Sequence, residues 1–151
     1  MSQIGVLNSE DILHACQNQD LVIDPFDESH LQPTSYDISV SQFFDDGELR
    51  DFDSLRVEHL QSRNLVALEL LAFPLDMIGH MNIRSTFRRR GLMGDLGRIE
   101  AGWRGRLVIE VFSTKEPIVI DNGERLATIE FVRLAKPVSK GYEGAFQNFG
   151  T

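Results

Sequence analysis

The chain has 151 residues, 42% of them hydrophobic and 25% charged, a balance that excludes disordered and fibrous classes and fits one globular domain with its own core. A formal net charge of −8 disfavours nucleic acid as a partner, because a long run of phosphates would meet no compensating cations; a small anion in a local basic pocket is still allowed. The single cysteine, Cys16, excludes an internal disulfide and a paired-thiolate zinc site, and with them the zinc nucleobase deaminases, whose signature needs Pro-Cys-x-x-Cys.

No apolar stretch approaches the roughly 20 residues that span a bilayer. The start, Met1-Ser2-Gln3-Ile4-Gly5, lacks the basic and apolar regions of a signal peptide. The expectation is a cytoplasmic protein with no membrane partner.

In chain order, Ser9–Cys16 reads as a short helix, with Asn8 or Ser9 as its N-cap, Glu10 and Asp11 in the first turn, and Ile12, Leu13 and Cys16 as an apolar stripe packed on the outside of a sheet. Leu21-Val22-Ile23 is a short strand ended by Asp24-Pro25. Leu31-Gln32-Pro33-Thr34-Ser35 is a loop leading into Tyr36–Val40, which alternates polar and apolar, and Asp45-Asp46-Gly47-Glu48 is a hairpin tip. Strands follow at Asn64–Leu70, Ile78–Ile83, Arg106–Phe112, Ile118–Ile120 and Leu126–Val132, each bounded by turn residues. Many short strands at such intervals give an all-β sandwich or barrel. No repeat or linker divides the chain, so residues 1–151 read as a single domain. The tail, residues 140–151, interleaves Tyr142, Phe146 and Phe149 with glycines; composition reads it as a frayed terminus, or as an arm that closes over a ligand.

The segments Ile83–Leu92 and Gly97–Val111 concentrate arginines beside carboxylates. Guanidinium forks in a turn-rich stretch suit phosphate oxygens, although the same cations also read as a solvated charged turn. Along Arg106–Phe112, alternation puts Arg106, Val108, Glu110 and Phe112 on one face and Leu107, Ile109 and Val111 on the other. A carboxylate held between Val108 and Phe112 is expected to lose water and have its pKa raised, which suits proton shuttling. The alternative is a glutamate that reaches solvent or a neighbouring arginine.

Three stretches carry a family resemblance. Leu31-Gln32-Pro33-Thr34-Ser35-Tyr36-Asp37-Ile38 is similar to Gln-Pro-x-Ser-x-Asp-Leu, Arg84-Ser85-Thr86-Phe87-Arg88-Arg89-Arg90-Gly91-Leu92 to Arg-Ser-Ser-x-x-Arg-x-Gly-Leu, and Ile99-Glu100-Ala101-Gly102-Trp103-Arg104-Gly105 to Ile-Asp-Pro-Gly-Trp/Phe-x-Gly. Weaker agreement continues through Gly123–Ala127 and Tyr142-Glu143-Gly144. In this order they resemble the deoxycytidine triphosphate deaminase family, within the trimeric deoxyuridine triphosphatase superfamily.

The resemblance implies a distorted β-barrel or jelly-roll protomer with a short N-terminal helix. It also implies a homotrimer with each site at a subunit interface, and a pyrimidine deoxynucleoside triphosphate bound with Mg2+, the deamination step itself needing no metal. Glu110 matches the catalytic glutamate, Ser85 the serine that holds the attacking water, and Arg89 the arginine that orients glutamate and base. Arg84 and Thr86 match triphosphate contacts, Glu100 a sugar contact, and Trp103 a wall beside the deoxyribose. Tyr142 and Gln147 match nucleotide contacts of the C-terminal arm, while Arg88 and Arg90 match nothing and read as surface charges.

Four departures stand out: Glu100 in place of aspartate, a shortened Met93–Gly97 loop, Ile83 for glycine, and Gly141 where a phosphate-binding lysine is expected, with Lys140 or Lys136 as substitutes. The implied activity is hydrolytic deamination of dCTP to dUTP and ammonia. The alternatives are a dUTP diphosphatase, alone or combined with deamination, and a catalytically silent relative that binds nucleotide or protein.

Overall fold

Local chemistry starts the first helix where the sequence puts it. In the computed structural model, which describes residues 3–94 and 97–151, strand β1 (Gly5–Val6) precedes helix α1 (Ser9–Gln17). The Asn8 side chain accepts the Asp11 N–H at 2.9 Å, satisfying one of the orphan donors of the first turn. The helix buries Ile12 and Ala15 rather than the expected Ile12, Leu13 and Cys16 stripe; Leu13 and Cys16 flank that face, half-buried.

Strands β2 (Val22–Asp24), β3 (Leu31–Gln32), β4 (Ser35–Asp45) and β5 (Glu48–Asp51) follow. The 31–35 segment, expected as a loop, is a tight hairpin in which Gln32 pairs with Ser35 across Pro33-Thr34. The Asp46-Gly47 tip turns with φ of 47° and 81° at the two residues, the positive-φ pair that a two-residue hairpin needs. Next come β6 (Ser54–Val57), β7 (Ser62–Ala72), β8 (Met77–Ile83), helix α2 (Ser85–Arg89), β9 (Leu92–Gly94), β10 (Arg98–Ile99), β11 (Arg104–Ser113), β12 (Ile118–Asp121) and β13 (Arg125–Arg133). The arginine cluster, expected as a turn, is therefore a short helix that buries Phe87 and stops at Gly91, whose φ is +94°.

The main sheet runs β10-β8-β13-β4-β7-β11-β9, and β6 pairs with β12 in a small second sheet. Irregularities at Val40/Gln42 on β4 and Arg106/Val108 on β11 break the registers with β7, and such bulges bend strands and increase twist. The curled sheet closes over Tyr36, Ile38, Leu65, Leu71, Ile109, Val111 and Phe131, all fully buried. This is the all-β, barrel-like architecture expected, with one short N-terminal helix. No helix among the described residues is long and apolar enough to cross a membrane.

The expected polar face of β4 is not at the surface. Both faces are covered, leaving Asp37 only 1% and Ser39 only 2% exposed. Asp37 Oδ2 meets Arg84 Nε at 3.2 Å, Arg125 Nη1 at 3.5 Å and the Gln32 amide at 3.1 Å. The Ser39 N–H donates to both carboxylate oxygens of buried Glu69 at 3.0 Å. Burial pushes the Glu69 carboxyl pKa above its ordinary value, and the Ser39 N–H pulls against that shift.

Candidate active site

β11 lies between β7 and β9, with Glu110 directly opposite Asn64 and Val111 opposite Gly94. Because Ile109 and Val111 are fully buried, the pleat turns Glu110 outward. Its carboxylate is exposed and accepts a hydrogen bond from Ser62 Oγ at 2.9 Å. The expected desolvation between Val108 and Phe112 is absent: Val108 is half-buried and Phe112 is 38% exposed. Alternation identifies the face correctly, but among the described residues Glu110 stays open to solvent on it.

Glu110 lines a cavity of about 340 Å³ together with Glu100, Trp103 and Tyr142, and with Asn64, Arg98, Arg106, Val108, Phe146 and Phe149. Trp103 is both core and cavity wall, only 7% exposed. Glu100 stands at the rim, its Oε1 3.3 Å from Arg98 Nε. The sequence reading missed Asn64, Arg98, Phe146 and Phe149 as cavity residues, because strand register and arm docking place them there. Arg106 had a signal, since it shares the strand face of Glu110.

The C-terminal segment is docked rather than frayed. The Tyr142 N–H donates to Ala101 O at 2.9 Å and the Asn148 N–H to Arg104 O at 2.7 Å, while Trp103 Nε1 donates to Phe146 O at 3.0 Å. Gln147, expected at the nucleotide, has its amide committed to backbone: Nε2 donates to Gly102 O and Tyr142 O, and Oε1 accepts the Arg104 N–H. The missing arm lysine also has a steric reason. A Cβ on Gly141 would lie 3.0 Å from the Cα of Gly102 and 2.9 Å from Leu75 Cδ2, so the close approach of arm to turn needs glycine there. Lys140 pairs at the surface with Glu143 at 2.9 Å.

Ile83 is compensated in a similar way. A Cβ on Gly94 would lie 2.5 Å from Ile83 Cδ1, so the absent side chain at 94 makes room for the added bulk at 83. Asp95 and Leu96, in the shortened Met93–Gly97 loop, lie outside the described residues; Met93 and Gly94 belong to β9.

A second group of candidate residues lies apart from this cavity. Arg84 stands at the N-cap position of α2 without a side-chain capping bond, and its guanidinium is held by Asp37 and by Arg125 O at 3.2 Å. Ser85, Thr86 and Arg89 are exposed on α2, and none of the four lines the cavity. Arg88 and Arg90 are exposed too, Arg90 lying 5.4 Å from the centre of the Phe87 ring. The chain thus brings Glu110, Glu100, Trp103 and Tyr142 together, with Gln147 behind them, and leaves the α2 residues elsewhere.

A family model described as dCTP deaminase-like matches residues 65–134. The dCTP deaminase of Thermococcus gammatolerans is 32% identical over 134 residues, covering 85% of each chain. A protein of Sulfolobus islandicus rod-shaped virus 1, called a probable deoxyuridine 5′-triphosphate nucleotidohydrolase, is 28% identical over 146 residues, covering 94% of this chain and 92% of its own. Among solved structures, the 2′-deoxycytidine 5′-triphosphate deaminase of Agrobacterium tumefaciens has the same fold, with a TM-score of 0.75 at 21% identity over 87% of this chain and 49% of that one. With this fold and a relative of that identity along most of both chains, the protein belongs to the dCTP deaminase-like family.

Proposed function

We propose that this protein, acting as a single domain in the cytoplasm, hydrolyses the 4-amino group of dCTP to give dUTP and ammonia. The observation that carries the reading is Glu110, set in the wall of the cavity under the docked arm in a chain of this family. Water adds at C4 of cytosine. Glu110 takes a proton from that water as the oxygen–carbon bond forms and delivers it to the ring nitrogen, then takes the remaining hydroxyl proton and gives it to the amine as the carbon–nitrogen bond breaks, leaving a C4 carbonyl and ammonia. Trp103 and Tyr142 wall the nucleotide, and Glu100 faces the sugar.

Ser85, Arg89, Arg84 and Thr86 complete the site from a neighbouring copy in a homotrimer. Ser85 holds the water, Arg89 orients Glu110, and Arg84 and Thr86 meet the triphosphate. Two features support this arrangement. The α2 residues do not reach the cavity of their own protomer, and the outward face of β11 and β9 offers Phe112 and Met93, 38% and 45% exposed and opposite each other in register, as apolar surface to cover. The same contact would exclude water from Glu110. Mg2+ enters with the nucleotide, the hard oxygens of the triphosphate supplying ligands that suit it.

The test is to incubate the protein with dCTP and, separately, with dUTP in the presence of Mg2+, measuring ammonia and pyrophosphate. Ammonia from dCTP is the expected product. Pyrophosphate from dUTP with no ammonia from dCTP would contradict the proposal. That outcome is the second reading, a dUTP diphosphatase, and the viral relative favours it.

A further inference from the structure

We infer that Arg106 and Gln147 are positioning residues, a two-point latch that holds the C-terminal arm (residues 140–151) in place as one wall of the Glu110 cavity; this rests on the reading of that cavity as the nucleotide site. The arm contains neither strand nor helix, so no ladder of its own orders it, and its glycines make an ordered state costly in backbone entropy. Specific anchors must do so. At one end, Gln147 spends both ends of its amide on backbone, spanning from Arg104 N at 2.7 Å to Gly102 O at 2.9 Å and Tyr142 O at 3.0 Å. At the other, Arg106 Nε donates to Gly150 O at 3.0 Å, and its Nη1 donates to Leu68 O on β7. The Arg106 backbone N–H adds a bond to Phe149 O at 2.9 Å. One side chain therefore ties the arm, β11 and β7 together.

Beside these anchors, Phe146, just before Gln147, and Phe149, just before Gly150, line the cavity, and the Phe146 carbonyl accepts from Trp103 Nε1. Release of the latch would remove this wall and leave Trp103 exposed. The hydrogen bonds already made by Gln147 and Arg106 assign their effect to the arm rather than to direct contact with substrate. Neither side chain belongs to the buried core, so their loss should leave the fold intact.

Trp103 is the only tryptophan, so its emission reports the arm with no substrate present. Gln147→Ala and Arg106→Lys should both shift Trp103 emission to the red, speed trypsin cleavage after exposed Lys140, and leave the melting midpoint close to parental. For dCTP, KM should rise about tenfold, the loss expected for roughly one net hydrogen bond, with kcat little changed; Arg106→Lys, which keeps a cation and a donor, should be milder than Arg106→Ala. Gly141→Ala, which releases the near end of the arm by steric crowding, should produce the same red shift. Parental emission and cleavage rate in both Gln147→Ala and Arg106→Ala would overturn the latch. A red shift with unchanged KM, or a fall in kcat at constant KM, would overturn its role as a wall acting through the arm. A parent that releases no ammonia would instead defeat the deaminase reading, while the emission and cleavage results would still decide the latch.

Discussion

Glu69 is 1% exposed and carries a carboxyl whose pKa burial raises above 4.5. A raised folded-state value favours the neutral acid in the native protein. Its contribution to stability is complete below the unfolded value and is lost as pH rises through the folded one. Glu69→Gln keeps an acceptor for the Ser39 N–H and abolishes the titration, so the decline in melting temperature as pH rises above the ordinary carboxyl range should be shallower than in the parent. Parallel curves would show that Glu69 does not titrate in this range. The sequence did not reveal Glu69 as buried, nor Asp37 and Ser39, because a polar residue alternating along a strand normally marks the solvent face. Here the side chains that satisfy it, Arg84 and Arg125 for Asp37, come from elements dozens of residues away.

Elements written in local chemistry were the legible ones. The cap at Asn8 and the Asp46-Gly47 tip announce themselves within a few residues, and β7, β8, β11 and β13 through apolar runs bounded by turns. Asn8→Ala should cost about 1 kcal/mol, the usual loss for an N-cap, measured by urea denaturation; an unchanged midpoint would mean that packing of Ile12 and Ala15 alone holds α1. Helix α2 escaped the reading because one apolar residue, Phe87, among arginines gives no helical period. β12 was read as the strand Ile118–Ile120, but β6 and its pairing with β12 escaped because partners such as Leu55 and Ile120 are joined only by the long-range fold. In the site, alternation identified the face of Glu110, but Asn64 joined the cavity only through the β7–β11 register.

At the scale of the whole molecule, the candidate site is divided: Glu110 and Trp103 line one cavity, while Ser85 and Arg89 stand outside it on the same chain. In the proposed trimer the division would become productive, since each interface would pair the cavity of one copy with α2 of the next. The protein should sediment as a trimer at micromolar concentration, and a stable, active monomer would contradict that architecture. Separately, Glu110→Gln should lower ammonia release by about 10²- to 10⁴-fold, the span typical of general acid–base catalysis, and Ser85→Ala should also be strongly impaired. The decisive measurement is ammonia release from dCTP by these two variants refolded together. An equal mixture should recover about a quarter of the parental rate, because half of the subunits bring Glu110 and half of their neighbours bring Ser85. A mixture no more active than its separate components, or a Glu110→Gln variant that alone releases ammonia at the parental rate, would contradict the account.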